Sequence, residues 1–204
     1  MKMIRRAFPA ATLALLTCSP WALSSALAQP AYPSAPIKII VPYPAGGASD
    51  AVARMIGEKL QQAWGQPVYI DNKPGASGII AADFVAKSPA DGHTLCFSAI
   101  APLTLAPALG HLPYDPVGDI APVVSVMHTP VLVMGTPALG VGSLHEALAL
   151  APTRAGGLRW ATSGMGTTGH LVLEQVRRQA GVAVTHIPYS GGGRQLHDAI
   201  AGHF

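Results

Sequence analysis

The chain alternates between two patterns of hydrophobic and polar residues: short apolar runs rich in β-branched residues, and longer stretches with helical spacing. The run Ile37–Val41 predicts a buried strand, and the stretch from Asp50 to Trp64, with apolar residues three and four positions apart, predicts an amphipathic helix. Strands alternating with helices predict a parallel sheet with right-handed crossovers. The next predicted elements are a strand at 67–72, a helix at 77–85 capped by Ser77 and a strand at 93–98. The strand positions expected to be buried are Ile39, Ile40, Val41, Val68, Ile70, Leu95 and Phe97.

A second group of strands and helices follows a segment punctuated by proline and glycine. The β-rich run Val123–Met134, interrupted by a His-Thr-Pro tripeptide, predicts two strands or one strand that crosses between domains. Ser143 and Glu146 form a capping box for a helix to Leu150. The later elements are a strand at 158–162, a helix from Thr167 or Thr168 to Ala180, a strand at 182–187 and a helix through Ile200. This organisation predicts a first α/β domain at 29–125 and part of a second at 126–204.

Three of the predicted strand-to-helix loops contain glycines, at 43–50, 163–169 and 189–194. Such a loop leaves backbone N–H groups free at the helix N-terminus, where the helix dipole also favours negative charge. Ligands of open α/β sheets bind beyond the carboxyl ends of the strands, so loops of two facing domains would line one cleft. The loops offer amides and hydroxyls with almost no charge, which predicts a site for a small carboxylate. For the loop at 43–50 an ordinary strand-to-helix connection is the alternative.

The first 28 residues have the pattern of a secretory signal peptide. A basic start precedes a short apolar stretch at 10–16, and the small-x-small tripeptide at 26–28 predicts cleavage before Gln29 and export to the periplasm. The apolar stretch is far shorter than the roughly 20 residues of a membrane span. A lipoprotein signal at Cys18 is the alternative, but the residue before that cysteine should be small and Thr17 fits poorly.

Loss of the signal peptide would change the charge of the chain. Its three charged residues are all basic, so the 13 Lys and Arg of the whole sequence fall to 10 against 10 Asp and Glu, and the net charge falls from +3 to zero. No basic cluster remains, which argues against nucleic acid as a partner. Cys96 is the one cysteine after residue 28, so we expect no internal disulfide and no Cys-rich metal site.

The motifs of an exported hydrolase, the alternative class of function, are missing from the sequence. The segment 162–166 lacks the spacing of a Gly-x-Ser-x-Gly nucleophile elbow, and the eight histidines include no His-Glu-x-x-His pair. The loop at 43–50 has neither the lysine of a P-loop nor the spacing of a dinucleotide fingerprint. We therefore expect no catalysis, no metal and no cofactor.

Several motifs together resemble one family. They are the segments 36–50, 68–78 and 88–95, then 114–116 with 119–123, 163–167 with 170–171, and 186–189 followed by glycines. In this order they resemble the Bug family, the periplasmic solute receptors of tripartite tricarboxylate transporters. The resemblance implies a two-domain periplasmic-binding-protein (Venus flytrap) fold that binds a small organic acid and delivers it to a membrane permease.

The resemblance also implies a set of ligand-binding residues from three loops. Asp50 has two interpretations, as a residue that orients the ligand or as the N-cap of its helix. His170 likewise is either a ligand contact or a packed histidine, whereas Trp64, Phe84 and Trp160 are interpreted as core residues. The implied ligand-binding residues are Tyr43, Ala45, Gly46, Gly47, Ser49, Asp50, Ser163, Gly164, Thr167, His170, Tyr189 and Gly191.

The chain departs from the family pattern in two motifs and in length. Thr168-Gly169 stands where the family commonly has Pro-Ser, and Ser190 stands where it often has Lys, which leaves the identity of the acid open. Family members are longer than 204 residues, so we expect the second domain to be incomplete here. A truncated remnant that binds nothing is therefore the alternative to a working receptor, and we expect tight binding only when the second domain is complete.

Overall fold

The computed structural model describes residues 31–204. The predicted signal peptide, its cleavage site and Cys18 lie outside the described residues. Tyr32–Phe204 forms one compact unit. No helix in this part of the chain is both long and apolar enough to cross a bilayer.

The first sheet consists of three parallel strands, β1 (Ile37–Val41), β2 (Val68–Asn72) and β3 (Thr94–Cys96), in the order β2-β1-β3. Ile39 of the central strand lies opposite Ile70 on one side and Leu95 on the other. This confirms the predicted parallel α/β layer. Because β1 has a neighbour on each side, its apolar residues are buried, whereas the predicted core residues of the two outer strands, with Phe97 just beyond β3, are only half-buried.

Helix α1 (Ala48–Trp64) packs on this sheet through Ala53, which is fully buried against Ile37, Ile39 and Val41. The helix ends at Gly65, whose φ of 67° is the left-handed conformation of a C-terminal glycine cap. Helix α2 (Ile79–Ala86) and the short α3 (Ala106–Leu109) follow, with a 3₁₀ turn at Ala76–Gly78 and a π turn at Ala101–Leu105.

The predicted cap at Ser77 is wrong. Ser77 lies inside the 3₁₀ turn with a φ of 53°, and the N-cap of α2 is Gly78, which has no side chain to accept a hydrogen bond. The Ser77 hydroxyl instead donates to the carbonyl oxygen of Met165, far away in the sequence. A long-range partner has therefore replaced the local one that the sequence predicted.

The second sheet pairs two parallel strands, β4 (Leu158–Thr162) and β5 (Val184–Pro188). Helix α5 (Thr168–Ala180) joins them, and it has the bounds that the sequence predicted because Thr167 is its N-cap and Gly181 its left-handed C-cap. The other two helices are α4 (Leu144–Leu150) before β4 and α6 (Gly192–Ile200) after β5. The structure does not test the predicted domain boundary near residue 125.

The capping box of α4 differs slightly from the predicted one. The Ser143 hydroxyl accepts a hydrogen bond from the Glu146 amide at 3.2 Å, as predicted. The Glu146 carboxylate, however, accepts from the amide of Gly142 at 2.8 Å and not from that of Ser143. The reciprocal bond is thus shifted by one residue.

The prediction of β structure at Val123–Met134 is wrong for this structure. No residue of that run belongs to a strand, and its apolar side chains are exposed, with Val123 at 80% and Leu132 at 70%. β-branched sequence forms a strand only where a neighbouring strand completes the ladder and a core covers one face. Neither of the two sheets in residues 31–204 pairs with this run.

Candidate functional site

The three glycine loops lie at equivalent places in the fold, and the third loop contacts the other two. Each follows the carboxyl end of a parallel strand and precedes a helix, from β1 to α1, from β4 to α5 and from β5 to α6. A Cβ built on Gly191 would lie 3.1 Å from Cδ of Pro44, and one on Gly193 would lie 3.7 Å from the Gly46 oxygen. A Cβ on Gly164 would lie 3.3 Å from the Tyr189 oxygen. The third loop is therefore in close contact with both the first and the second.

The first loop ends at the N-terminus of α1. Gly47 is the N-cap and has no side-chain oxygen, so no capping hydrogen bond is made there. The first helical bond runs from the Ala51 amide to the Gly47 oxygen at 3.0 Å. Helix geometry leaves the four preceding N–H groups, those of Gly47, Ala48, Ser49 and Asp50, without a partner inside the helix. The Ser49 hydroxyl is half-buried and makes no hydrogen bond among the described residues.

Asp50 is buried and organises this loop from within. It is the third residue of α1 and not its N-cap, so that interpretation is corrected. Its Oδ2 accepts hydrogen bonds from the Gly46 amide and from Nε of Arg54, both at 3.0 Å, and its Oδ1 accepts from Nδ2 of Asn72 at 2.9 Å. The hydrogen bond from Arg54, reinforced by that from Gly46, lowers the pKa of Asp50 to about 2.

Asn72 extends the network from the end of β2 to the start of the loop. Its side-chain amide donates to the Tyr43 oxygen at 3.0 Å as well as to Asp50, and its Oδ1 accepts from Arg54 at 3.2 Å. Sequence reasoning missed both Arg54 and Asn72. The pairing of Asp50 with Arg54 four residues later could have been found from helix spacing, but the contact with Asn72 depends on the sheet register. Tyr43 is half-buried, and burial raises the pKa of its phenol.

The second loop is held by two buried threonines. Oγ1 of Thr167 donates to the Gly164 oxygen at 2.7 Å and accepts from the His170 amide at 3.4 Å. Oγ1 of Thr162 accepts from the Gly164 amide at 3.3 Å and lies 2.7 Å from Nε2 of His186. The Thr167 hydroxyl is therefore used inside the loop, whereas the hydroxyl of half-buried Ser163 makes no hydrogen bond among the described residues.

We expect Thr167→Ala to lower the free energy of unfolding by about 1–2 kcal/mol, because it removes a helix cap and the shortest of the hydrogen bonds to the buried Gly164 oxygen. Thr167→Ser keeps the hydroxyl and is the matched control, for which we expect most of the stability to remain. Urea denaturation, monitored by circular dichroism, measures the free energy of unfolding of both variants. Equal losses in the two would show that the methyl group matters and the hydrogen bonds do not.

His170 is a packed histidine in this structure. Its Nδ1 accepts a hydrogen bond from the Gly166 amide at 3.2 Å, and its ring stacks on that of His186 with centroids 4.7 Å apart. Its Nε2 lies 4.0 Å from the Glu174 carboxylate. Burial, followed by the charge of His170, lowers the pKa of His186. The ring of His170 thus fixes the loop before α5, and a direct contact with a ligand stays a prediction.

The third loop contributes backbone rather than side chains. The Tyr189 hydroxyl donates to the Asp198 carboxylate of α6 at 2.7 Å, and its amide donates to the Thr162 oxygen at 2.8 Å. Gly191 is buried with a φ of 149°, a conformation that favours glycine, and it lies against Pro44 of the first loop.

The predicted site residues therefore differ in what they contact. One group holds the loops together through bonds within the protein, and its members are Asp50, Thr167, His170 and Tyr189. Another group presents backbone amides, or hydroxyls without a hydrogen bond in residues 31–204, and its members are Gly47, Ser49 and Ser163. Contacts join the loops at Tyr43, Gly46, Gly164 and Gly191, while Ala45 is exposed. No cluster of three or more metal-ligating side chains occurs in residues 31–204.

An α/β fold with these loops at the carboxyl ends of parallel strands is that of the periplasmic binding proteins, and the solved structures that the chain resembles have this fold. The family described as "Tripartite tricarboxylate transporter family receptor" matches residues 52–204. The chain belongs to this family, which confirms the resemblance noted in the sequence. The loop at 43–50 lies just before the matched region.

The relatives include proteins of known structure. Protein BugT of Bordetella pertussis is 38% identical over 173 residues, which cover 84% of this chain and 53% of BugT. MatC from Rhodopseudomonas palustris with bound malate has a TM-score of 0.77 and 31% identity, over 84% of this chain and 59% of MatC. R. palustris Rpa4515 with adipate has a TM-score of 0.73 and 34% identity, over 84% and 58%. The chain thus spans about half the length of the curated relatives it matches.

Proposed function

We propose that this chain is a ligand-binding part of a periplasmic receptor that captures a small organic carboxylate for a tripartite tricarboxylate-type transporter. The observation that carries the proposal is the meeting of three glycine loops at the carboxyl ends of parallel strands. The family to which the chain belongs is one of transporter receptors, and two of its structural relatives hold malate and adipate.

The uncapped N-terminus of α1 supports a negatively charged ligand. Four amides, those of Gly47, Ala48, Ser49 and Asp50, are left without helical partners at the positive end of the dipole. A carboxylate there would accept hydrogen bonds from the amides and from the Ser49 hydroxyl. Asp50 lies in the next position, but its charge is paired with Arg54, whose Nη2 is 3.0 Å from Oδ1. The ion pair leaves the amides free to act on the ligand.

The ligand in this proposal is held between the first and second loops. Ser163 supplies a hydroxyl from the second loop, and Ser49 supplies one from the first loop. Neither hydroxyl has a hydrogen-bond partner within the described residues. Gly164 and Gly191 let the backbones approach, since a side chain at either would meet the neighbouring loop. Asp50, Thr167 and His170 act as positioning residues. Export to the periplasm and delivery to a membrane permease complete the proposed role.

Isothermal calorimetry with malate, adipate and citrate tests the proposal. We expect a saturable heat of binding for at least one acid, no change of the acid in its NMR spectrum after incubation, and no binding of the neutral diamide of succinic acid. Because the chain spans about half of its curated relatives, we expect tighter binding when it is fused to the part of BugT outside the matched region. Failure of both forms to bind any of the acids would overturn the proposal, and conversion of an acid would support the hydrolase class.

A further inference from the structure

Three helices in the described part of the chain begin with the same hydrogen bond. The residue before the N-cap donates its amide to the side chain of the third helical residue. The bond joins Gly46 to Asp50 in α1 at 3.0 Å, Gly142 to Glu146 in α4 at 2.8 Å and Gly166 to His170 in α5 at 3.2 Å. The acceptor is a carboxylate in α1 and α4, whereas in α5 it is Nδ1 of an imidazole. The second glycine loop is thus held by a side chain of different chemistry from the first.

The two kinds of acceptor respond differently to acid. A carboxylate keeps accepting down to about pH 4, whereas an imidazole ordinarily takes up a proton at about pH 6.5. Because Nδ1 of His170 accepts from the Gly166 amide, the proton of the neutral ring lies on Nε2. A second proton goes to Nδ1, where it takes the place of the hydrogen bond. Of the three bonds, the one at the second glycine loop is therefore the one that a proton breaks in mild acid.

His186 places a second titratable ring against the first. The two rings stack with centroids 4.7 Å apart and planes 19° from parallel. Nε2 of His186 lies 2.7 Å from the Thr162 hydroxyl oxygen, which also accepts from the Gly164 amide at 3.3 Å. Burial lowers the pKa of His186, and so does the charge of a protonated His170, since two positive rings at this distance repel each other. This histidine pair, His170 and His186, therefore contacts the second loop at two points while its rings are neutral.

Within residues 31–204, Glu174 of α5 is the carboxylate that faces the histidine pair. It lies 4.0 Å from Nε2 of the nearer ring, and it raises the pKa of His186 by less than the other two causes lower it. It also accepts from Nε of Arg177 at 3.0 Å and is 40% exposed, so its attraction for a charged ring is small. Arg159 of β4 points to the opposite face of the sheet, because its neighbour Trp160 is the strand partner of His186. The surroundings therefore favour the neutral pair.

We propose that the histidine pair is a pH switch on the second glycine loop, and that its protonation weakens the binding of a carboxylate there. With both rings neutral, His170 holds the Gly166 amide and keeps the loop in the form described above. A proton on Nδ1 of His170 releases that amide, and repulsion within the pair loosens the contact that runs through Thr162 to Gly164. The effect on affinity rests on the proposed function, whereas the release of the loop does not.

An NMR titration of the isotope-labelled chain from about pH 8 to about pH 5, with no carboxylate present, tests the release of the loop. The amide shift of Gly166 should move with the same midpoint as the ¹⁵N shifts of the His170 ring. The amide of Gly142, whose acceptor is the Glu146 carboxylate, should not follow that transition. A Gly166 amide that stays unchanged while the ring titrates, or a ring that takes up no proton in this range, would overturn the proposal.

Calorimetry with malate and adipate over the same pH range measures the consequence for binding. His170→Asn keeps an oxygen acceptor near the position of Nδ1 and cannot be protonated there. We expect this variant to bind more weakly than the parent at about pH 8, because the ring contacts are lost, and to lose the pH dependence of the switch. The ratio of parent to variant affinity cancels the ionisation of the acid itself. It should fall about tenfold toward acid pH, the change that one linked proton gives over one pH unit.

His145→Asn is the matched control, because His145 is an exposed histidine of α4 outside the three loops, and its pH profile should be that of the parent. Equal profiles for the parent and His170→Asn, or tighter binding by the parent in acid, would overturn the proposal and leave the proposed function standing. If the parent bound neither acid at any pH, the proposed function would fail, and the NMR titration would still decide whether the loop is released.

His186→Gln tests the repulsion within the pair. Glutamine keeps a polar group that can reach the Thr162 hydroxyl but carries no charge, so the Gly166 transition should move to higher pH by about half a unit or more. This variant leaves His170 in place, and it therefore tests the switch even if His170→Asn does not fold. An unmoved midpoint would show that the two rings do not act as a pair.

Discussion

Gly47→Val should abolish carboxylate binding while the protein still folds. A Cβ at Gly47 would meet one atom within 4 Å, the Pro44 oxygen at 3.8 Å, and the φ of −86° is open to any residue. The N-cap side chain lies over the first amides of a helix, where a capping oxygen would normally accept from them. Valine would put two methyl groups in that space and keep an anion away from the amides of α1.

The expected loss is large because each hydrogen bond to a charged group contributes about 1.5–3 kcal/mol. Two lost bonds correspond to a decrease in affinity of roughly a hundredfold or more. Calorimetry with the acid that the parent binds best measures the loss, using the fused form if it binds more tightly. Gly142→Val is the matched control, because a Cβ there also meets a single atom, Oε2 of Glu146 at 3.7 Å, outside the three loops. Parent-like binding by Gly47→Val would show that the α1 amides are not the site.

The parts of the fold that the sequence predicted correctly are those set by local signals. Helix α5 has its predicted bounds because Thr167 and Gly181 act on their own immediate neighbours. Strand β4 was likewise predicted with its observed bounds, since Gly157 before it and Ser163-Gly164 after it are turn signals. The position of each glycine loop follows from the same strand and helix signals.

The incorrect predictions concern interactions with distant residues. The run Val123–Met134 has the composition of a strand, but a strand also needs a partner that its own sequence does not specify. Ser77 has the chemistry of an N-cap, yet its hydroxyl bonds to Met165. Asn72 looked like an ordinary end of a strand, and its contacts with Tyr43 and Asp50 arise only because β2 lies beside β1 in a defined register.

The candidate site shows the same division. Glycine loops before helices indicated where backbone amides would be free, and the structure puts those loops in contact. The sequence did not show how each polar side chain is used, because Thr167 and Tyr189 have the same hydroxyl chemistry as Ser49 and Ser163. Only the structure separates hydroxyls that bond within the protein from those that make no bond in the described part of the chain.

Asp50→Asn should destabilise the protein strongly and loosen the first glycine loop. The carboxylate of Asp50 accepts from three donors, the Gly46 amide, Arg54 and Asn72. The side-chain NH₂ group of an asparagine in the same place would face one of these donors, and two donors cannot form a hydrogen bond. The substitution would also leave the positive charge of Arg54 without its partner. We expect the free energy of unfolding at pH 7 to fall by about 2–3 kcal/mol, since hydrogen bonds to a charged group are lost.

The same variant should change the response to acid. The folded-state pKa of Asp50 is about 2, below the ordinary 3.8 of an aspartate, so its contribution to stability is present above pH 4 and is lost as the pH falls toward 2. Since one pKa unit corresponds to about 1.4 kcal/mol, the parent should lose on the order of 2 kcal/mol over this range that Asp50→Asn does not. Urea denaturation at a series of pH values measures both effects. Glu58→Gln removes a negative charge from an exposed position of the same helix, and at pH 7 it should alter stability by less than about 0.5 kcal/mol. If Asp50→Asn were as stable as the parent at pH 7 and equally sensitive to acid, the network would not be what holds the Gly46-Gly47 loop in place.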